Sequence, residues 1–413
     1  MTKKVARITV AFALVVLGIA AAVQRGEAHK AITSKYTYND DVFPILRDRC
    51  SSCHVPGGVA PMSLMTYDDA FPWAESIRAE LVAAHMPPWN ADEGYGEFKR
   101  AHALSPKELD VILTWATGGN PRGALDQKLP AIELKNDWTL GAPDLALKMP
   151  TAFTIAADTM EDWQEFTLAT GTTEARWVRA VDLLPGNPSF VRSATISVKG
   201  ATPSSGATPA PERVLARWLP GQDSAQSDGV AFRLPAGAQL GVRIHYKKTW
   251  QFEGKPLADR STVGLYFSSA ASQELLAVPI SSTTDSAAAA SGSAARTMTF
   301  SHTLAEDLQA VALSPDQAPG NITLQVEAVK PDGSRVPMIR LNTRADWDRR
   351  YWFEKPLLLP RGTRVEVTAN LDDPDMLSSA FTATPGAAPA TARASSIRIT
   401  LNVIPARSKP TAP

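Results

Sequence analysis

Cys50-Ser51-Ser52-Cys53-His54 constrains this chain more than any other stretch. Two thiols separated by two residues and followed at once by an imidazole form the attachment pattern of a c-type haem. One helical turn presents both sulfurs to the two vinyl groups of a haem edge, and the adjacent imidazole meets the iron from the proximal side. A zinc half-site and a thioredoxin-like thiol pair use similar spacing. Both fit poorly here, because no second CxxC or HxxxH accompanies the first and the chain has no other cysteine. The motif therefore predicts one covalent haem c, with Cys50 and Cys53 as the attachment points and His54 as the proximal iron ligand.

The N-terminus reads as an export signal, and export suits covalent haem. Lys3, Lys4 and Arg7 precede an apolar run from Ile8 to Val23, and polar Gln24 to Glu27 follow. Small residues at Ala20, Ala21 and Ala22, or later at Ala28 and Ala31, suit a signal peptidase; an uncleaved anchor is the alternative, since the run approaches the length that spans a bilayer. Residues 1–31 are thus read as a signal peptide or N-terminal anchor. The remainder is expected to be periplasmic or otherwise extracytoplasmic, with membrane association through the N-terminus or a partner left open. With both cysteines committed to haem, no structural disulfide is expected despite the oxidising compartment. The 413 residues leave room for two or three domains, and Lys+Arg 42 against Asp+Glu 42 offer no basic surface for nucleic acid.

Around the motif the period is helical, and a haem domain is expected over residues 36–123. Asn39-Asp40-Asp41 are capping residues ahead of Val42, Ile45 and Leu46, with Pro44 tolerable in a first turn. In the loop Pro56–Pro61, the Pro61 carbonyl is the candidate to accept the ring N–H of His54 and hold the ligating tautomer. A second helix starts near Thr66–Asp69, carries Ala70, Trp73, Ala74, Ile77 and Leu81, and stops at His85-Met86-Pro87-Pro88-Trp89. Two prolines after Met86 make a rigid loop, so Met86 is the candidate distal iron ligand. Met62, Met65, His85 and an open sixth position are the alternatives. Ser105-Pro106-Lys107-Glu108 is a capping box leading into Leu109, Ile112, Leu113 and Ala116, and Gly118-Gly119-Asn120-Pro121 ends that helix.

Beyond Pro121 the period changes to two. Leu240, Val242, Ile244 and Tyr246 alternate with Gly241, Arg243 and His245; Ile322, Leu324, Val326 and Ala328 alternate before the turn Pro331-Asp332-Gly333. Val365 and Val367, then Ile397, Ile399, Leu401 and Val403, continue the pattern. Short strands between Pro/Gly turns predict two β-sandwiches, residues 136–280 and 296–405, separated by an Ala/Ser-rich linker at 281–295 and followed by a disordered tail at 406–413. Ala201–Pro211 reads as an inserted loop. If Leu240–Tyr246 buries its apolar face, His245 points with Arg243 toward an interdomain cleft or solvent, and without a neighbouring histidine it makes a poor metal site. Trp89, Trp115 and Trp177 are read as core.

The segments Cys50–Ile77 and Met86–Phe98 resemble the N-terminal cytochrome c module of bacterial proteins fused to a copper type II, ascorbate-dependent monooxygenase-like region. The rest is similar to the tandem β-sandwiches of peptidylglycine hydroxylating monooxygenase. Trp138–Leu145, Arg176–Ala180, Pro185-Gly186-Asn187, His245-Tyr246, Ala328–Gly333 and Leu359–Thr363 carry that likeness. It implies a helical class I-type cytochrome c domain followed by two antiparallel jelly-roll sandwiches. Copper-binding members have a His-His pair shortly after Pro-Gly-Asn, where this chain has Val191-Arg192-Ser193. They have a Pro-His-x-His element where it has Ser314-Pro315-Asp316-Gln317-Ala318. Only His245 survives, and the methionine ligand expected near the C-terminus has no counterpart around Ala394–Ile397. Imidazoles are what such copper centres need, so the resemblance implies a degenerate copper site and speaks against bound copper. The expected function is an exported monohaem electron carrier whose β region serves docking to a redox partner protein, or structure. A haem-bearing subunit of a larger membrane-associated electron-transfer complex, and a copper monooxygenase fed by its own haem, are the other readings.

Overall fold

A computed structural model describes residues 33–99, 103–199, 213–222, 229–268, 273–282, 297–318, 320–344, 347, 349–371 and 396–406. The expected signal segment, the inserted loop 201–211, nearly all of the linker, the tail beyond Ala406, His29, His102 and Ala394 lie outside them. The described chain is mostly β, with a few helices near the N-terminus and several sheets after them. Among the described residues no helix is long and apolar enough to cross a membrane.

Helix starts in the first part follow local chemistry. Thr37, rather than the Asn39–Asp41 cluster, caps the first turn by accepting from the Asp40 amide, and Tyr38–Val42 form a single π-helical turn. Phe43–Arg49 continues as α-helix with Pro44 in its first turn, where the missing N–H costs nothing. The second helix is not continuous: Pro72 divides it into Tyr67–Ala70, a 3-10 turn at Phe71–Trp73, and Ala74–Val82. Pro106–Thr117 opens with the expected reciprocal capping box of Ser105 and Glu108 and stops at Gly118. Arg49 pairs with Glu108 at 3.0 Å and ties this helix to the one that ends at the cysteines. Tyr38, Phe43, Leu46, Ile112 and Trp115 are the buried centre of the helical part.

Nineteen strands follow among the described residues. The first ten are β1 (Leu145–Lys148), β2 (Phe153–Ile155), β3 (Glu161–Ala169), β4 (Arg176–Leu184), β5 (Val191–Val198), β6 (Arg213–Trp218), β7 (Val230–Leu234), β8 (Gln239–Lys247), β9 (Leu257–Asp259) and β10 (Thr262–Phe267). The rest are β11 (Gln273–Glu274), β12 (Leu276–Ser281), β13 (Thr297–Thr303), β14 (Leu308–Gln317), β15 (Thr323–Val329), β16 (Arg335–Asn342), β17 (Tyr351–Leu359), β18 (Arg364–Asn370) and β19 (Arg398–Pro405). Sheets ordered β1-β10-β4-β7-β11 and β3-β8-β5-β6 share one apolar core. Sheets β12-β19-β14-β17 and β13-β18-β15-β16 share a second. Apart from the short parallel β7–β11 contact, the pairings are antiparallel.

Two features depart from the expected boundaries. Leu276–Ser281, placed at the end of the first β region by sequence, pairs instead with β19 and delivers Ile280 to the second core. Residues 89–99, expected to complete the helical part, leave it. Ala91 bridges to Leu341 on β16 and Phe98 to Phe353 on β17, so this segment lies along an outer strand of each sheet of the second region. Trp89, Ala91 and Phe98 pack into that core, and apolar burial of this size contributes a few kcal/mol. The backbone bonds Asp92 N–H to Arg340 and Lys99 N–H to Trp352, both 2.7 Å, add direction.

The β regions are also joined to each other. Arg350 donates to the carbonyls of Leu215 (2.9 Å) and Val214 (2.8 Å), and buried Arg217 pairs with Asp316 at 2.7 Å.

Candidate functional site

The Cys50–His54 turn hangs from the end of Phe43–Arg49. The Cys53 and His54 amides both donate to the Cys50 carbonyl, at 3.1 and 2.9 Å, which curls the two thiols and the imidazole onto one wall. That wall belongs to an apolar cavity of about 410 Å³, within the size range of small-molecule and cofactor sites. Trp73, Ile77 and Leu81 from the interrupted second helix form the adjoining wall, and Met86, Pro87 and Pro88 close another side. The Met86–Pro87 peptide is cis. The cavity thus brings together Cys50, Cys53, His54, Pro61 and Met86.

Within this set the geometry corrects one expectation. His54 Nδ1 lies 3.0 Å from the carbonyl oxygen of Met62, not that of Pro61. Pro61 turns its carbonyl outward and accepts from Gln251 Nε2 at 2.9 Å. A carbonyl can only accept, so Nδ1 carries the proton and Nε2 keeps its lone pair. Withdrawal from water holds the His54 pKa below its ordinary value, and the Met62 bond offsets only part of that. Burial pushes the Cys50 thiol up to about 12 and raises Cys53 as well, the nearby arginines opposing the second shift.

The alternative distal residues separate in space. Met62 lines the cavity, but the backbone of that same residue holds His54. Met65 is buried in the helical core and does not reach the cavity wall. His85 is off the wall too, with Nδ1 3.1 Å from Glu80 Oε2.

Sequence reasoning missed the outer wall, which comes from both β regions. Arg192, Pro220, Gly221 and Gln222 reach it from the first, Trp347 and Arg349 from the second. Gly221 has φ +70, and a Cβ built on it would lie 2.1 Å from Ser52 Cβ, so only glycine lets this loop rest on the cysteine turn. Arg192 stacks on Trp347 at 5.4 Å and Arg349 on Trp89 at 5.3 Å. No local pattern announces these residues, because each reaches the cavity through tertiary contact.

Of the two surroundings expected for His245, cleft or solvent, the structure excludes solvent. The side chain does leave the β8 core face, yet it is 0% exposed. Its ring lies flat on Trp163 (3.8 Å, 2°), Arg243 covers the same indole at 4.8 Å, and Nε2 is 2.7 Å from Glu161 Oε1. Where the resemblance calls for histidines, Arg192 lines the cavity, and Asp316 holds Arg217 and accepts from the Thr400 hydroxyl. Among the described residues, no three His, Cys, Asp or Glu side chains come together as an ion site.

Neither a family model nor a curated protein matches this chain. Among solved structures, a Bacteroides ovatus protein assigned as an α-L-fucosidase is similar over 54% of this chain at 10% identity, with a TM-score of 0.16. The chain spans 36% of that protein's length. The insecticidal δ-endotoxin Cry8Ea1 of Bacillus thuringiensis is similar over 64% of this chain and 52% of its own, at 7% identity and a TM-score of 0.17.

Proposed function

We propose that this chain is an exported monohaem c-type cytochrome that passes single electrons to and from a protein partner, and that its β regions serve as structure and docking surface. The observation that carries the reading is the His54–Met62 bond: it leaves an iron-ligating Nε2 lone pair on a wall shared with Cys50, Cys53 and Met86. Bound haem c would supply a one-electron iron couple. His54 and Met86 would be the residues that hold its iron, and Cys50 and Cys53 those that attach it covalently; all four line the cavity.

The raised thiol pKa values support the same reading against a redox thiol pair. A redox thiol pair works through an accessible thiolate, which burial disfavours at both of these cysteines. Thioether formation to haem leaves apolar sulfurs that suit an apolar wall. In this reading the helical part is a class I-type cytochrome c domain, and the paired sheets are tandem jelly-roll sandwiches of a degenerate copper-monooxygenase type. Asp316 and Arg192, at the missing histidine positions, have structural and cavity-lining work that copper ligation would not allow.

The reading is tested on the full chain expressed with a haem-attachment system and collected from the periplasm. Haem that survives denaturing electrophoresis and a reduced c-type spectrum are expected. The weak far-red methionine–iron band should disappear in Met86→Leu. An unchanged band removes Met86 from the iron, and protein exported without covalent haem overturns the whole reading. Tightly held copper found by metal analysis would revive the monooxygenase reading.

A further inference from the structure

Arg349 is 6% exposed and lines the cavity beside the cysteine turn. Burying an ion without a partner is costly, several kcal/mol per ion even after relaxation, so buried arginines normally meet a carboxylate. Arg349 meets none among the described residues, and its Nε–H is buried without an acceptor. Its ring contact is the indole of Trp89 at 5.3 Å. Arg192 adds a second, half-buried guanidinium on the same wall.

We propose that Arg349 is a positioning residue for charge, raising the reduction potential of the haem that the preceding section assigns to this cavity. The inference rests on that haem reading. A fixed cation favours whichever state of its neighbour carries one electron more. One electron enters from a protein donor and later leaves to a protein acceptor; the guanidinium gains and loses neither proton nor electron, and no bond forms or breaks. Two unit charges about 10 Å apart in an effective dielectric of about 20 change such an equilibrium about tenfold. The second β region would therefore act on the redox centre through one side chain without supplying a ligand to it.

The test is spectroelectrochemical titration of the full, haem-loaded chain as wild type, Arg349→Met and Arg349→Lys. Arg349→Met is expected to weaken reduction about tenfold, about 59 mV for a one-electron couple. Arg349→Lys keeps the charge and stays near wild type, and the far-red methionine–iron band stays in place in both. An unchanged potential in Arg349→Met with that band intact overturns the proposal, as does an equal fall in the Lys variant. If Arg349→Met does not accumulate, the wild type alone decides. A cation out of reach of counter-ions makes the potential insensitive to salt between 0.05 and 0.5 M, and a tenfold weakening of reduction across that range overturns the proposal. Wild-type chain without covalent haem would instead sink the haem reading, so the two failures are distinct.

Discussion

His54 and His245 each commit one ring nitrogen to an oxygen, His54 to the Met62 carbonyl and His245 to the Glu161 carboxylate. Their other surroundings diverge. Around His54 the chain leaves a cavity whose walls carry a sulfur from Met86 and two thiols; around His245 it fills the space with the planes of Trp163 and, beyond it, Arg243. A histidine becomes a candidate ligand through the room and the partners left for its second nitrogen, and burial alone says little about it. The position that the family resemblance marks for metal is packed, and the position marked by the attachment motif is open.

The comparison breaks most visibly at His54. If the proposed haem is attached, replacing His54 by alanine should abolish its low-spin c-type spectrum, read on the purified chain by absorbance, and a spectrum that persists would mean that another residue serves as proximal ligand. Next in size is Asp316→Ala. It takes the Asp316 carboxylate away from buried Arg217 at the junction of the β regions, and loss of one partner of a buried pair costs about 3–5 kcal/mol, measured by urea unfolding. A loss below about 1 kcal/mol would show that Asp316 is replaceable there and weaken the case that it has taken over a ligand position. The smallest effect should come from His245→Ala. Losing the Trp163 stack and the Glu161 bond lowers stability by about 1–3 kcal/mol while the haem spectrum stays as it was. A spectral change in this variant would join the two regions functionally and end the contrast.

Much of the helical part was legible because its signals are local. The Ser105–Glu108 capping box and the Gly118 stop need only a few neighbouring residues to act, and they act as read. Alternation likewise placed Leu240, Val242, Ile244 and Tyr246 in a core. What escaped depends on partners distant in sequence. Alternation says which face His245 occupies but not that Trp163, on the neighbouring strand, roofs it. Pro61 and Met62 differ by one step in a turn, and a one-step change reverses which carbonyl faces inward. Residues 89–99, broken by Gly94 and Gly96, show no strand period, since their β character is borrowed from β16 and β17. Arg349 carried no signal at all; only the cavity it lines gives it meaning.

The path of residues 89–99 has a consequence for how the chain can be divided. Bare outer strands offer unpaired N–H and C=O groups to any extended chain that arrives. Here the N-terminal part supplies that chain itself, along β16 and β17. Cutting the protein between its helical and β parts would therefore leave a fragment with two sticky margins, prone to pair with copies of itself. The N-terminal part is in that sense a guard against polymerisation, and a separated β fragment would lack it.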